Sequence, residues 1–68
     1  MKVKNRLDNI DKQIIHFLGN RGNANTNEIS ENLKISWATA NKHLRKLNIK
    51  GYVIKEKQGE LIIWSLNY

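Results

Sequence analysis

Between Ser36 and Lys50 the sequence carries Lys42, Arg45, Lys46 and Lys50 and no acid. Interleaved with these cations are Ala38, Thr39 and Asn41. This is a set for recognising a polyanion. Asn41 has the paired donor and acceptor that match adenine N6 and N7, and Lys42 can reach guanine O6 and N7. Ser36 and Thr39 offer hydroxyls suited to phosphate, helped by free backbone N–H groups if a helix starts there. No comparable set exists for catalysis. There is no cysteine, which removes disulfides, thiolate metal sites and thiol nucleophiles together. Two histidines, His16 and His43, cannot complete a tetrahedral zinc site without carboxylates. Ser36 and His43 are seven residues apart with no third group to orient them. The expectation is a non-enzymatic protein with no metal and no cofactor.

Charge supports the same class. Sixty-eight residues with 12 Lys+Arg against 6 Asp+Glu carry a formal +6, and an excess of that size on one small domain favours nucleic acid over a membrane surface. The longest apolar run, 61–64, is far too short to cross a bilayer. No apolar stretch follows Met1 in the manner of a signal sequence, so the expected location is the cytoplasm, beside the nucleoid. Lys, Asn and Ile are abundant, a bias of AT-rich coding sequence that fits a prokaryotic, archaeal or viral source.

The elements that must hold these side chains follow from periodicity. Residues 1–6 are a basic N-terminal arm, and one domain fills 7–68. Leu7, Ile10, Ile14, Phe17 and Leu18 recur at helical spacing after the cap Asp8, with Asp11 as its partner, predicting a first helix over about 8–19. Asn25-Thr26-Asn27-Glu28 opens a short second helix over about 26–33 that buries Ile29 and Leu33. Ser36 caps a third over about 37–48, with Ala40, Leu44 and Leu47 inward. A short helix, a three-residue turn and a second helix predict a helix-turn-helix. After Gly51 the period becomes two, and a hairpin over about 52–66 turns at Gln58-Gly59. That register pairs Val53 with Trp64, puts Val53, Ile62, Trp64 and Leu66 on the core face, and leaves Ile54, Leu61 and Ile63 outside. The predicted fold is α+β, mainly α: a winged helix-turn-helix of three helices followed by a two-stranded β-hairpin wing.

Ser36 through Leu47, with Gly51-Tyr52-Val53, resembles the recognition helix and following strand of ArsR- and MarR-type winged-helix regulators, where the pattern is roughly S-x-x-T-V-S-x-H-L-x-x-L-x-x-x-G-L-V. Lys57 through Leu66 is similar to the ArsR wing, and Leu7-Asp8-x-x-Asp11-x-x-Ile14 resembles the opening of Lrp-type regulators. The match spans about residues 7–67. Position 40 is Ala where the family prefers Val, and Lys34 stands where a turn Gly is common. The Cys ligands of ArsR-type metal sensors are absent, and neither flanking dimerisation helices nor an effector domain is expected within these residues. The resemblance implies a transcriptional regulator of double-stranded DNA, probing the major groove with its third helix.

In that frame Ala38, Asn41, Lys42 and Arg45 are the expected base contacts. Ser36, Trp37, Thr39, Lys46, Lys55, Lys57 and Gln58 are the expected backbone or minor-groove contacts. Ile54, Leu61 and Ile63 form a candidate dimer or partner surface. A homodimer on a palindrome is expected, because one helix reading about four base pairs binds weakly. His43 is expected to pack with a hydrogen bond to backbone, and His16 to be exposed. Two other classes fit the same residues: a protein-interaction module using the apolar stripe, and a non-specific architectural nucleic-acid binder.

Overall fold

A computed structural model describes residues 7–67, so the expected arm at 1–6 lies outside the described residues. Helix α1 (Asn9–Arg21) starts at the predicted cap. Asp8 accepts from the Asp11 N–H at 2.9 Å, and the Asp11 carboxylate accepts from the Asp8 N–H at 3.3 Å, satisfying two amides that a helix start would leave bare. The helix runs on through Gly19 and Asn20. Its stop is Gly22 at φ +98°, whose N–H bonds to the Leu18 carbonyl at 2.7 Å.

A short strand, β1 (Asn23–Asn25), leads into α2 (Thr26–Leu33), capped reciprocally by Asn25 and Glu28. Lys34 ends α2 in the left-handed conformation, φ 60° and ψ 44°. Ser36 then caps α3 (Trp37–Lys50), which Gly51 terminates at φ +89°. Strands β2 (Val53–Gln58) and β3 (Leu61–Leu66) complete the chain, with sheet order β1-β3-β2, all antiparallel. The fold is a winged helix, and β1 adds a third strand to the expected hairpin. No helix among the described residues is long and apolar enough to cross a membrane.

The hairpin register differs from the one expected. Val53 pairs with Leu66, Lys55 with Trp64 and Lys57 with Ile62. The turn is Gly59-Glu60, not Gln58-Gly59, because Gly59 takes the positive φ (+62°) at the first central position, as in a type II′ turn. The slip is two residues, and side chains alternate with period two, so every residue keeps its face.

Ile14, Leu18, Ile29, Ala40, Leu44, Leu47, Val53 and Trp64 form the buried centre with Ala24 of β1. Leu7, Ile10, Phe17, Leu33, Ile62 and Leu66 pack around it, partly buried. Trp64, the largest buried side chain, donates its indole N–H to Thr26 Oγ1 at 2.9 Å. That bond ties β3 to the first turn of α2 and so sets the wing against the helix-turn-helix.

Candidate nucleic-acid interface

Helix α3 is pinned through one face and free on the other. Ala40, Leu44 and Leu47 are fully buried, whereas Ala38, Lys42, Arg45, Ile49 and Lys50 are exposed. Trp37, Asn41 and Arg45, spaced four apart, form a ridge along the outer face. The ridge separates two open hollows. One lies between α3, the start of α2 and the wing, where Lys55, Glu60 and Leu61 stand opposite the ridge. The other runs along α3 itself past Ala38, Lys42, Ile49 and Lys50. Three of the four expected base contacts, Ala38, Lys42 and Arg45, are thus exposed beside these hollows. Asn41 is half-buried on the ridge.

At the helix start, Ser36 Oγ accepts from the Thr39 N–H at 3.1 Å and donates to Thr39 Oγ1 at 2.9 Å. The two hydroxyls expected to hold phosphate therefore hold each other, and Ser36 serves as the cap. Trp37, the first residue of α3, is 54% exposed.

Lys46 sits differently from the other cations. Its ammonium lies 3.0 Å from Asp11 Oδ2 and 3.6 Å from Asp8 Oδ2, so it pairs with α1. His43 joins the same cluster: Nδ1 donates to Asp11 Oδ1 at 2.8 Å. The expected backbone acceptor for His43 is replaced by a buried carboxylate, because the capping Asp11 has no exposed surface and needs donors on both oxygens. Burial pushes the Asp11 carboxyl upward, but the hydrogen bonds from His43, Lys46 and the Asp8 N–H outweigh it and hold it below its ordinary value of 3.8. The Asp11 hydrogen bond holds the Lys46 ammonium above its ordinary 10.5. Asp8, Asp11 and His43 place ligand-type atoms within 4.8 Å of one another. A metal ion there would have to displace the Lys46 ammonium from Asp11.

On the wing, Lys55, Lys57 and Gln58 are exposed on β2, and only Lys55 lines the hollow against α3. The expected apolar stripe keeps to one sheet face and borders the hollow at its Leu61 end. Ile54 and Ile63 lie diagonally on the outer sheet face, with Ile54 46% exposed and Ile63 half-buried. Leu61, 55% exposed, lines the hollow shared with Trp37 and Arg45. His16 is exposed, as expected, and lies 3.1 Å from Asn20.

Three residues of this region escape a sequence reading. Asp11 reads as a cap, and nothing local marks it as the buried anchor of two α3 side chains 32 and 35 positions away. Glu60 reads as a strand residue until the register makes it part of the turn. Ile49, 85% exposed, falls outside the inward spacing of α3, and that spacing was the available signal.

The sequence of residues 7–54 matches the winged helix-turn-helix DNA-binding family. No curated protein sequence matches the chain. Among solved structures it is similar to the PKZ Zalpha domain in complex with ds(CG)6, at 27% identity and a TM-score of 0.83 over 87% of this chain and 95% of that one. The Zalpha domain of Carassius auratus PKZ in complex with Z-DNA superposes at a TM-score of 0.77 and 24% identity, over 84% of this chain and 90% of that one. The C30S mutant of Lactococcus lactis ZitR in complex with DNA aligns at 26% identity and a TM-score of 0.82 over 96% of this chain, which spans only 46% of the ZitR chain. With the family's sequence pattern over most of its length and the winged fold around it, this chain is a member of the winged helix-turn-helix DNA-binding family.

Proposed function

We propose that the chain reads double-stranded DNA by sequence and acts as a transcriptional regulator, repressing by occluding a promoter. The observation that carries this is the outer face of α3, where an acid-free basic surface flanks the polar ridge Asn41–Arg45. A major groove about 12 Å wide admits such a helix. Ala38, Asn41, Lys42 and Arg45 then address base edges, while Ser36, Thr39 and the wing residues Lys55, Lys57 and Gln58 address the backbone or minor groove. Lys46 is left out of this contact set because α1 already holds its charge. The DNA complex of ZitR, a protein of similar fold, supports the same partner. A homodimer on a palindrome completes the reading, since a single helix offers few base contacts.

A second reading rests on a specific likeness. The PKZ Zalpha domain, which the chain matches over 95% of that domain's length, was captured on ds(CG)6. Recognition of a CG-repeat duplex in its left-handed form is the corresponding alternative.

One experiment separates the readings. A random duplex library is selected against the protein, and the winner, a scrambled control and a CG-repeat duplex are titrated at two salt concentrations. Preference for the winner by about a thousandfold supports sequence reading. In that case Asn41→Ala weakens binding to the winner by about 1–3 kcal/mol and relaxes preference at one base pair. Preferred binding to the CG repeat, with inversion of its circular dichroism, establishes the second reading instead. Equal and steeply salt-dependent binding to all three makes the chain an architectural binder.

A further inference from the structure

The ridge of α3 begins with a side chain that charge does not explain. Trp37 is the first residue of the helix, 54% exposed, and borders both hollows. Its neighbour Ala38 is also exposed and lines the hollow along α3. Leu61, at the wing, is 55% exposed across the other hollow. The ring is left half in water, unlike Trp64, which is 2% exposed and hydrogen-bonded to Thr26. The cations and Asn41 offer the DNA charge and hydrogen bonds, but they offer no apolar surface. Only one base presents an apolar group in the major groove, thymine with its C5-methyl. In helix-turn-helix complexes the N-terminal residues of the recognition helix are the ones that meet base edges.

We infer that Trp37, supported by Ala38, is a specificity-determining residue that packs on a thymine C5-methyl, making the chain a reader of an A·T pair at one end of its site. This deepens the proposed reading of right-handed duplex DNA and rests on it. Position follows from geometry. Trp37 and Arg45 are eight residues apart on α3, about 12 Å along the helix. With about 3.4 Å between base pairs, the thymine lies within about four pairs of the pair that Arg45 addresses. The contact is apolar, so it acts equally at low and high salt, unlike a phosphate contact, whose loss lowers the salt slope. Ile49, the exposed apolar residue at the far end of α3, serves as the comparison.

The test uses the full chain and the duplex recovered by selection, with each thymine replaced in turn by uracil, which deletes only the C5-methyl. For the unmodified protein, one replacement within that distance weakens binding about fourfold, the worth of burying one methyl-sized group. In Trp37→Ala that replacement has no further effect, and the salt slope is unchanged. Trp37→Phe, which keeps an aromatic face, retains the sensitivity, as does Ile49→Ser. Far-ultraviolet circular dichroism and the thermal midpoint report that each variant is folded. Three results overturn the inference while leaving DNA reading intact: a selected site with no A·T pair within that distance, uracil replacement without effect, or the same loss in Trp37→Ala as in the unmodified protein. Failure of the protein to bind any selected duplex, or binding confined to the CG repeat, overturns the proposed DNA reading and the inference with it.

Discussion

Asp11 has no contact with solvent and still favours its ionised form, because His43, Lys46 and the Asp8 amide all donate to it. Its folded-state affinity for a proton is therefore lower than in the unfolded chain, where the ordinary value of 3.8 applies. The stabilisation is complete above that value and is lost as pH falls through the lower folded one. Thermal melts across the acid range should show stability declining below about pH 4, and Asp11→Asn should flatten that decline. The same variant should lose on the order of 2 kcal/mol at neutral pH, since one of the two accepting oxygens becomes an NH2 that meets donors. If the acid limb of Asp11→Asn parallels that of the unmodified chain, the carboxylate does not carry it. Lys46 belongs to this cluster as much as to the basic face of α3, which is why it is not grouped with Lys42 and Arg45.

Two joints decide how the elements sit together. Thr26 accepts the buried indole N–H of Trp64, joining the start of α2 to β3. Thr26→Val keeps the shape and removes the acceptor, and denaturant unfolding should register a loss of about 1–3 kcal/mol for the stranded donor. An unchanged midpoint would mean that water or another group satisfies the indole. Lys34, in the turn between α2 and α3, holds a left-handed conformation that costs a non-glycine residue about 1–2 kcal/mol. Lys34→Gly relieves that cost but adds freedom to the unfolded chain. A net gain of up to about 1 kcal/mol is expected from the same measurement, and a loss would show that the lysine side chain itself stabilises the turn.

For the whole molecule, the distribution of charge matters more than its sum. The +6 is a property of composition, but only the cations that meet phosphates release counterions when DNA binds. Plots of log affinity against log salt should lose about 0.9 in slope for each phosphate-contacting cation removed. Lys55→Ala should show that loss, whereas Lys46→Ala should cost stability and leave the slope nearly intact. Equal slope changes for both would mean that Lys46 leaves α1 to meet the DNA.

The helices, their order and the winged architecture were legible in the chain because they rest on local chemistry. Asp8, Asn25 and Ser36 cap the helices that follow them, Gly51 ends α3, and the apolar spacing of Ile14, Leu18, Leu44 and Leu47 marks the buried faces. Each of those signals acts within about one or two helical turns. The hairpin was legible in face but not in register, since alternation is blind to a shift of two and only the conformation of Gly59 places the turn. Strand β1 was not legible: Asn-Ala-Asn has little strand propensity and becomes a strand only because β3 offers an edge to pair with. The carboxylate cluster of Asp11, His43 and Lys46 and the ridge from Trp37 to Arg45 with its two hollows were likewise decided by tertiary packing. Sequence spacing can say which side chains share a helix face, but which distant groups meet there depends on how the helices and wing are docked.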